Sequence, residues 1–148
     1  MTTSKSGYDL TPLAADRIAA LSTDLSDTER RVILHQGTER PGCGVFLDNK
    51  KAGVYTCRLC ALPLFKSDAK FDSGTGWPSF FQPYDPEHVA EITDVTHGMR
   101  RVEIRCKRCD GHLGHVFDDG PAPTRLRYCM NSASLSFVDD GQPLKLRS

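Results

Sequence analysis

The chain has 148 residues, 19 of them Lys or Arg and 19 Asp or Glu, so its formal net charge is zero with histidines neutral. A length within the ~100–200 residues of one domain allows a real core without covalent staples, and 26% charged residues argues against bulk disorder. Balanced charge speaks against a dedicated nucleic-acid or membrane-surface binder, no stretch approaches the ~18 apolar residues of a membrane span, and Met1–Asp16 lacks a secretory pattern, so a cytoplasmic protein is expected.

In chain order, Thr11 before Pro12 reads as an N-cap with proline at the first helical position. Leu13, Ala14, Ile18 and Leu21 then form a helical stripe ending near Ser22. Ser26 and Glu29 make a capping-box pattern that predicts a second helix over Asp27–Gln36, stopped by Gly37. From Gly44 onward short apolar runs between turn residues predict strands at Val45–Leu47, Val54–Cys57, Leu62–Phe65, Val89–Thr93, Arg101–Cys106, His115–Phe117 and Arg127–Phe137. Residues 66–88, rich in Gly and Pro, read as mostly loop, and Asp139–Ser148 as a polar, frayed tail.

Six cysteines are too few for a disulfide scaffold, which needs roughly 8–10%, and in a reducing compartment they point to metal binding or catalysis. Cys57-Arg58-Leu59-Cys60 and Cys106-Lys107-Arg108-Cys109 are two C-x-x-C units, each after a predicted strand. Two such knuckles supply the four thiolates of a tetrahedral zinc, and four cysteines leave no open coordination position, so the ion is structural. The competing readings are a pair of redox dithiols, which lack a βαβ context, or four buried free thiols.

Cys129 lies in Arg127-Tyr128-Cys129-Met130-Asn131, where strand alternation puts Arg127, Cys129 and Asn131 on one face. A guanidinium beside a thiol favours the nucleophilic thiolate, whereas the bland alternative is a small core residue. His112-Leu113-Gly114-His115 adds two groups able to move protons near neutral pH or to bind metal. Residues three apart share no face of a regular strand, so both reach one site only through a bulge or bend at Gly114. His35, His88 and His97 read as structural or surface residues. The single tryptophan, Trp77, sits in a Gly- and Pro-rich loop, as a pocket wall or a core plug.

Taken together these segments resemble the B-type methionine sulfoxide reductases, which act on the R epimer at sulfur. The resemblance covers residues 30–137 and rests on His35-Gln36-Gly37-Thr38-Glu39, Asp48-Asn49-Lys50, both C-x-x-C pairs, Ser73–Phe80, His112–Pro121 and Arg127–Leu135. It implies a mainly antiparallel β fold over residues 30–138, with an N-terminal extension 1–29 carrying a short helix and a C-terminal tail 139–148. It further implies one zinc ion on Cys57, Cys60, Cys106 and Cys109, with Cys129 as nucleophile. Catalytic roles carry over to His112, His115 and Asn131, and substrate contacts to Trp77, Phe117, Asp119 and Arg127. The implied chemistry is thiolate attack on the sulfoxide sulfur, protonation of the departing oxygen by His112 or His115, and a Cys129 sulfenic acid.

The chain departs from a common family pattern at the second thiol. Many members carry cysteine before Gly-Trp-Pro-Ser-Phe, where this chain has Thr75. Some members place the resolving cysteine in a more N-terminal region, which here holds Cys43 between Gly42 and Gly44. The resemblance thus implies a Cys43–Cys129 disulfide reopened by thioredoxin, against the alternative of an incidental Cys43 and an external thiol. A monomer acting on oxidised proteins or peptides is expected, with no nucleic-acid or membrane partner. The rival class is a zinc-stabilised β module that binds a ligand or partner without catalysis.

Overall fold

The computed structural model describes residues 2–148. Two short helices precede nine strands: α1 Ala15–Leu21, α2 Asp27–Ile33, β1 Gly53–Cys57, β2 Pro63–Lys66, β3 Lys70–Phe71, β4 Ser79–Phe80, β5 Val89–Asp94, β6 Arg101–Cys106, β7 His112–Phe117, β8 Arg127–Met130 and β9 Leu135–Asp139. The strands form two antiparallel sheets, β2-β1-β9 and β3-β4-β8-β7-β6-β5. The mainly antiparallel β fold is therefore as expected.

One core joins both sheets. Tyr55 and Phe65 of the smaller sheet meet Phe80 of the larger, with Phe65 and Phe80 stacked at 4.4 Å between ring centroids. All three rings are fully buried, so the aromatic contacts add to an already large burial term. This packing holds β4, and with it the adjoining Trp77 loop, against β8.

The helices differ from expectation at their ends. α2 begins at the Ser26 capping box, in which Glu29 N–H donates to Ser26 Oγ and Ser26 N–H to Glu29 Oε1. It closes at Ile33 rather than Gln36, because Gln36 itself adopts the left-handed conformation (φ 58°) expected of Gly37. α1 begins three residues late and has no side-chain cap. Leu13 N–H instead donates to Arg108 O at 3.0 Å, a tertiary bond that replaces a first helical turn.

Two strand expectations are corrected, as are those for the tail and for the loop 66–88. Val45–Leu47 is a pair of overlapping turns, closed by Leu47 N–H to Gly44 O and Asn49 N–H to Phe46 O. The run Arg127–Phe137 is two strands, since β8 pairs with β4 and β7 whereas β9 crosses to pair with β1. The tail is not frayed throughout: Arg147 N–H donates to Cys60 O, and its guanidinium reaches Arg58 O, Leu59 O and Asp24. Residues 66–88 also contain β3 and β4, two residues each, within the expected loop.

Candidate active site

Both C-x-x-C units are built alike at the β1–β2 and β6–β7 hairpins. Cys57 N–H donates to Leu62 O and Cys106 N–H to Gly111 O. Ala61 N–H and Asp110 N–H donate back to Cys57 O and Cys106 O, with both residues left-handed at φ 66° and 61°. The turns bring the four buried thiols together, every Sγ within 4.8 Å of the others. The pairs Cys57–Cys109 and Cys60–Cys106 stand at 3.5 Å, far beyond the ~2.05 Å of a disulfide. A tetrahedral site with Zn–S near 2.3 Å separates its sulfurs by about 3.8 Å, so the geometry and the donor set fit zinc. Burial and the neighbouring thiols push the Cys106 thiol well up, and a cation relieves that crowding of like groups.

Cys129 lies centrally in the larger sheet, opposite Ser79 of β4 and His115 of β7. It opens into a cavity of about 270 Å³ lined by Thr38, Thr75, Trp77, His115, Phe117 and Arg127, with Arg101, Gly114 and Asn131 completing the wall. Arg127, Cys129 and Asn131 therefore face one space. Gly114 is required there: a Cβ on it would stand 2.1 Å from Cys129 O, so only glycine lets β7 approach β8 this closely.

Charge in the cavity is organised around Arg127. Its guanidinium donates to Asp119 at 2.8 and 3.2 Å and lies 4.4 Å over the Phe117 ring. The Arg127 bond holds the Asp119 carboxyl below its usual range. Burial pushes the Cys129 thiol up, and Arg127 and Thr75 pull it back only in part. Arg127 thus favours the thiolate as expected from the sequence, but desolvation outweighs it in the free protein.

The two histidines receive different surroundings. β7 carries one extra residue opposite Ile104–Arg105 of β6, so a bulge falls at Leu113, next to Gly114. It brings the rings of His112 and His115 to 5.6 Å. His112 is buried, its Nδ1–H donates to Glu103 Oε2 at 2.6 Å, and its Nε2 has no partner. Burial pushes the His112 imidazole below its ordinary value, with Glu103 opposing. His115 lines the cavity and bonds through Nε2 to Asp94 Oδ2 at 2.8 Å. That bond, followed by those from Thr96, holds the Asp94 carboxyl well below its usual range.

Of the residues singled out from sequence, the cavity thus unites Trp77, His115, Phe117, Arg127, Cys129 and Asn131. His112 sits behind His115, and Asp119 is exposed, touching the site through Arg127. Cys43 is exposed in a separate groove of about 660 Å³ between the start of α2 and β9. His88 is a fully buried structural residue, its Nδ1–H donating to Pro63 O at 2.6 Å, while His35 and His97 are exposed. The sequence reading assigned no role to Thr38, Glu39, Asp94, Arg101 or Glu103. The one available signal was the place of Thr38 and Glu39 in the segment 35–39.

Comparison with known proteins agrees with this geometry. Residues 25–139 match the SelR domain. A protein of Caulobacter vibrioides (strain NA1000 / CB15N) named peptide methionine sulfoxide reductase MsrB is 57% identical over 143 residues, covering 97% of this chain and 90% of that relative. A protein of the same name from Xylella fastidiosa (strain M23) is 56% identical over 134 residues, covering 90% of this chain and 86% of its own. With the SelR match spanning both zinc knuckles and the whole Cys129 cavity, the chain belongs to the SelR-domain family of these methionine sulfoxide reductases.

Proposed function

We propose that the protein reduces methionine R-sulfoxide in peptides and proteins to methionine. The observation that carries this reading is the half-buried Cys129 thiol in a small cavity with aromatic walls at Trp77 and Phe117, a cation at Arg127 and an imidazole at His115. Such a cavity suits an apolar methyl thioether next to a polar S–O group. The names of the relatives support the same substrate.

In the first step a Cys129 thiolate attacks the sulfoxide sulfur, a sulfur–sulfur bond forms and the sulfur–oxygen electron pair moves to the oxygen. His115, the imidazole in the cavity wall, delivers a proton to that oxygen, with Asp94 orienting the ring and His112 behind it. With a second proton from solvent the oxygen departs as water. Water then attacks the Cys129 sulfur, methionine leaves with the sulfur–sulfur electron pair, a proton is released, and Cys129 is left as sulfenic acid. Thr75 cannot resolve it. Cys43 does so: its thiolate attacks the Cys129 sulfur, water departs, and a Cys43–Cys129 disulfide forms. A thioredoxin-type dithiol then exchanges with that disulfide and restores both thiols, in keeping with a potential near −270 mV. Because the two thiols open into different spaces, the segment around Cys43 must swing. Gly42 N–H to Gly76 O, at 2.6 Å, ties it to the Trp77 loop.

The zinc, held by Cys57, Cys60, Cys106 and Cys109, supplies a structural cross-link between the two hairpins. Residues 30–138 are read as the catalytic unit, with 1–29 and 139–148 as flanking segments. A cytoplasmic monomer is the reading that suits six free cysteines and a dithiol reductant. No helix among the described residues is long and apolar enough to cross a membrane.

The test is a peptide carrying both epimers of methionine sulfoxide, incubated with the zinc-loaded protein and dithiothreitol, each epimer being followed by chromatography. Loss of the R epimer alone is expected. If folded, zinc-loaded protein leaves both epimers unchanged, the catalytic reading fails and a binding module takes its place.

A further inference from the structure

Glu39 is buried at 7% exposure, yet it performs no step of the chemistry above. Its carboxylate accepts two backbone bonds from the turn after β8, Ser132 N–H to Oε2 and Ala133 N–H to Oε1, both at 2.9 Å. Its backbone faces the other way. Glu39 N–H donates to Asn131 Oδ1 at 3.0 Å, and Glu39 O accepts Trp77 Nε1–H at 3.0 Å. Residues 34–52 belong to no helix or strand, so no ladder fixes residue 39 and its side chain must do so.

We propose that Glu39 is a positioning residue: its carboxylate, pinned on the amides of Ser132 and Ala133, places its own backbone so that Trp77 and Asn131 are held at the wall of the Cys129 cavity. This rests on the reading of that cavity as the substrate site. The two charge-assisted bonds are of the stronger kind, and both come from the turn that directly follows the nucleophile's strand. The carboxylate therefore registers the Trp77 loop against Cys129 across three segments distant in sequence. Gly44 packs on the same clamp, where a Cβ would lie 2.4 Å from Glu39 Oε2 and 2.3 Å from Ser132 Oγ. Both ends of the Cys43 segment are thus anchored, and between them Gly42 N–H donates to Gly76 O of the Trp77 loop.

A purely electrostatic role makes the opposite prediction. The Glu39 charge is one of the groups that raises the Cys129 thiol, so neutralising it would by itself speed attack. Positioning predicts that Glu39→Gln slows it, because the amide turns an N–H toward one of the two backbone donors.

The chain has a single tryptophan, so fluorescence excited at the red edge, where the four tyrosines do not absorb, reports Trp77. In zinc-loaded Glu39→Gln, emission should move to the red and acrylamide quenching should rise. KM for the sulfoxide peptide should increase about tenfold or more, with zinc content unchanged. Wild-type fluorescence and KM in a folded variant would overturn the assignment. Should the variant fail to hold zinc or fold, hydrogen exchange of the Trp77 indole N–H in the wild-type protein decides. Protection supports the clamp, and exchange at the rate of a free indole overturns it. The fluorescence and exchange readouts need no turnover, so they stand apart from a failure of the reductase reading itself.

Discussion

At the scale of single residues, the site divides the work between a thiol that burial restrains and a cation that releases it. Cys129→Ser should abolish methionine formation while zinc content and far-ultraviolet circular dichroism stay as in wild type; retained turnover would remove the nucleophile assignment. Cys43→Ser should release the first equivalent of methionine at the normal rate but recycle poorly with thioredoxin, and unchanged thioredoxin-driven turnover would show another route. Arg127 lowers the thiol against the desolvation that raises it. Arg127→Gln should therefore move the Cys129 pKa further up, seen as slower iodoacetamide alkylation at pH 8 and a rightward shift of its pH profile. An unshifted profile would mean that the guanidinium serves Asp119 and Phe117 only.

At the scale of elements, the two knuckles carry the clearest stability predictions. Replacing Cys106 by Ser removes one of four zinc ligands, and because ligand binding and folding are coupled, both zinc content and the melting temperature should fall. The alternative outcome, full zinc retention, would show that three thiols suffice. Ala61 sits in the left-handed region at φ 66°, which costs a residue with a Cβ ~1–2 kcal/mol. Ala61→Gly should then raise stability by about 0.5–1 kcal/mol after glycine's larger unfolded-state entropy is subtracted. A urea midpoint at or below that of wild type would contradict this.

The sequence was informative about elements whose cause is local. The capping box at Ser26 and the knuckle spacings are read from residues within three or four of one another, and the structure places them as expected. The strand expectation departs furthest from the structure at Arg127–Phe137. The cluster Asn131-Ser132-Ala133-Ser134 within that run carries turn-forming residues, and it folds as the 3-10 turn Ser132–Ser134. The break exists because β8 and β9 belong to different sheets. The Val45–Leu47 run fails for the related reason that no partner strand lies beside it, which leaves Val45 at 81% exposure.

At the scale of the whole molecule, buried ionisable groups couple folding to pH. Burial holds the His112 imidazole down, so the unfolded chain takes up that proton first, and stability falls as pH drops through the unfolded value of about 6.5. For Glu103 burial works upward, but the Arg105 and His112 bonds outweigh it and hold the carboxyl low. Its contribution is present above the unfolded value of about 4.3 and is lost as pH falls through the folded one. The His112 contribution makes the melting temperature decline from pH 7.5 to pH 5.5, whereas that of Glu103 is lost only on further acidification, below about pH 4.3. The decline should be smaller in His112→Gln; an equal decline would place the titrating group elsewhere.

The ligand set for zinc, the thiol and cation on one strand face, and the family are all legible in the chain, because each is written in residue types at short, fixed spacings. Which histidine lines the cavity, the opening of Cys43 into a different groove from Cys129, and the joining of three segments by Glu39 follow from the folded arrangement. Those depend on strand order, a bulge at Leu113 and the burial of a loop under the turn after β8. Such contacts form between residues up to 94 positions apart, and no spacing in the chain encodes them.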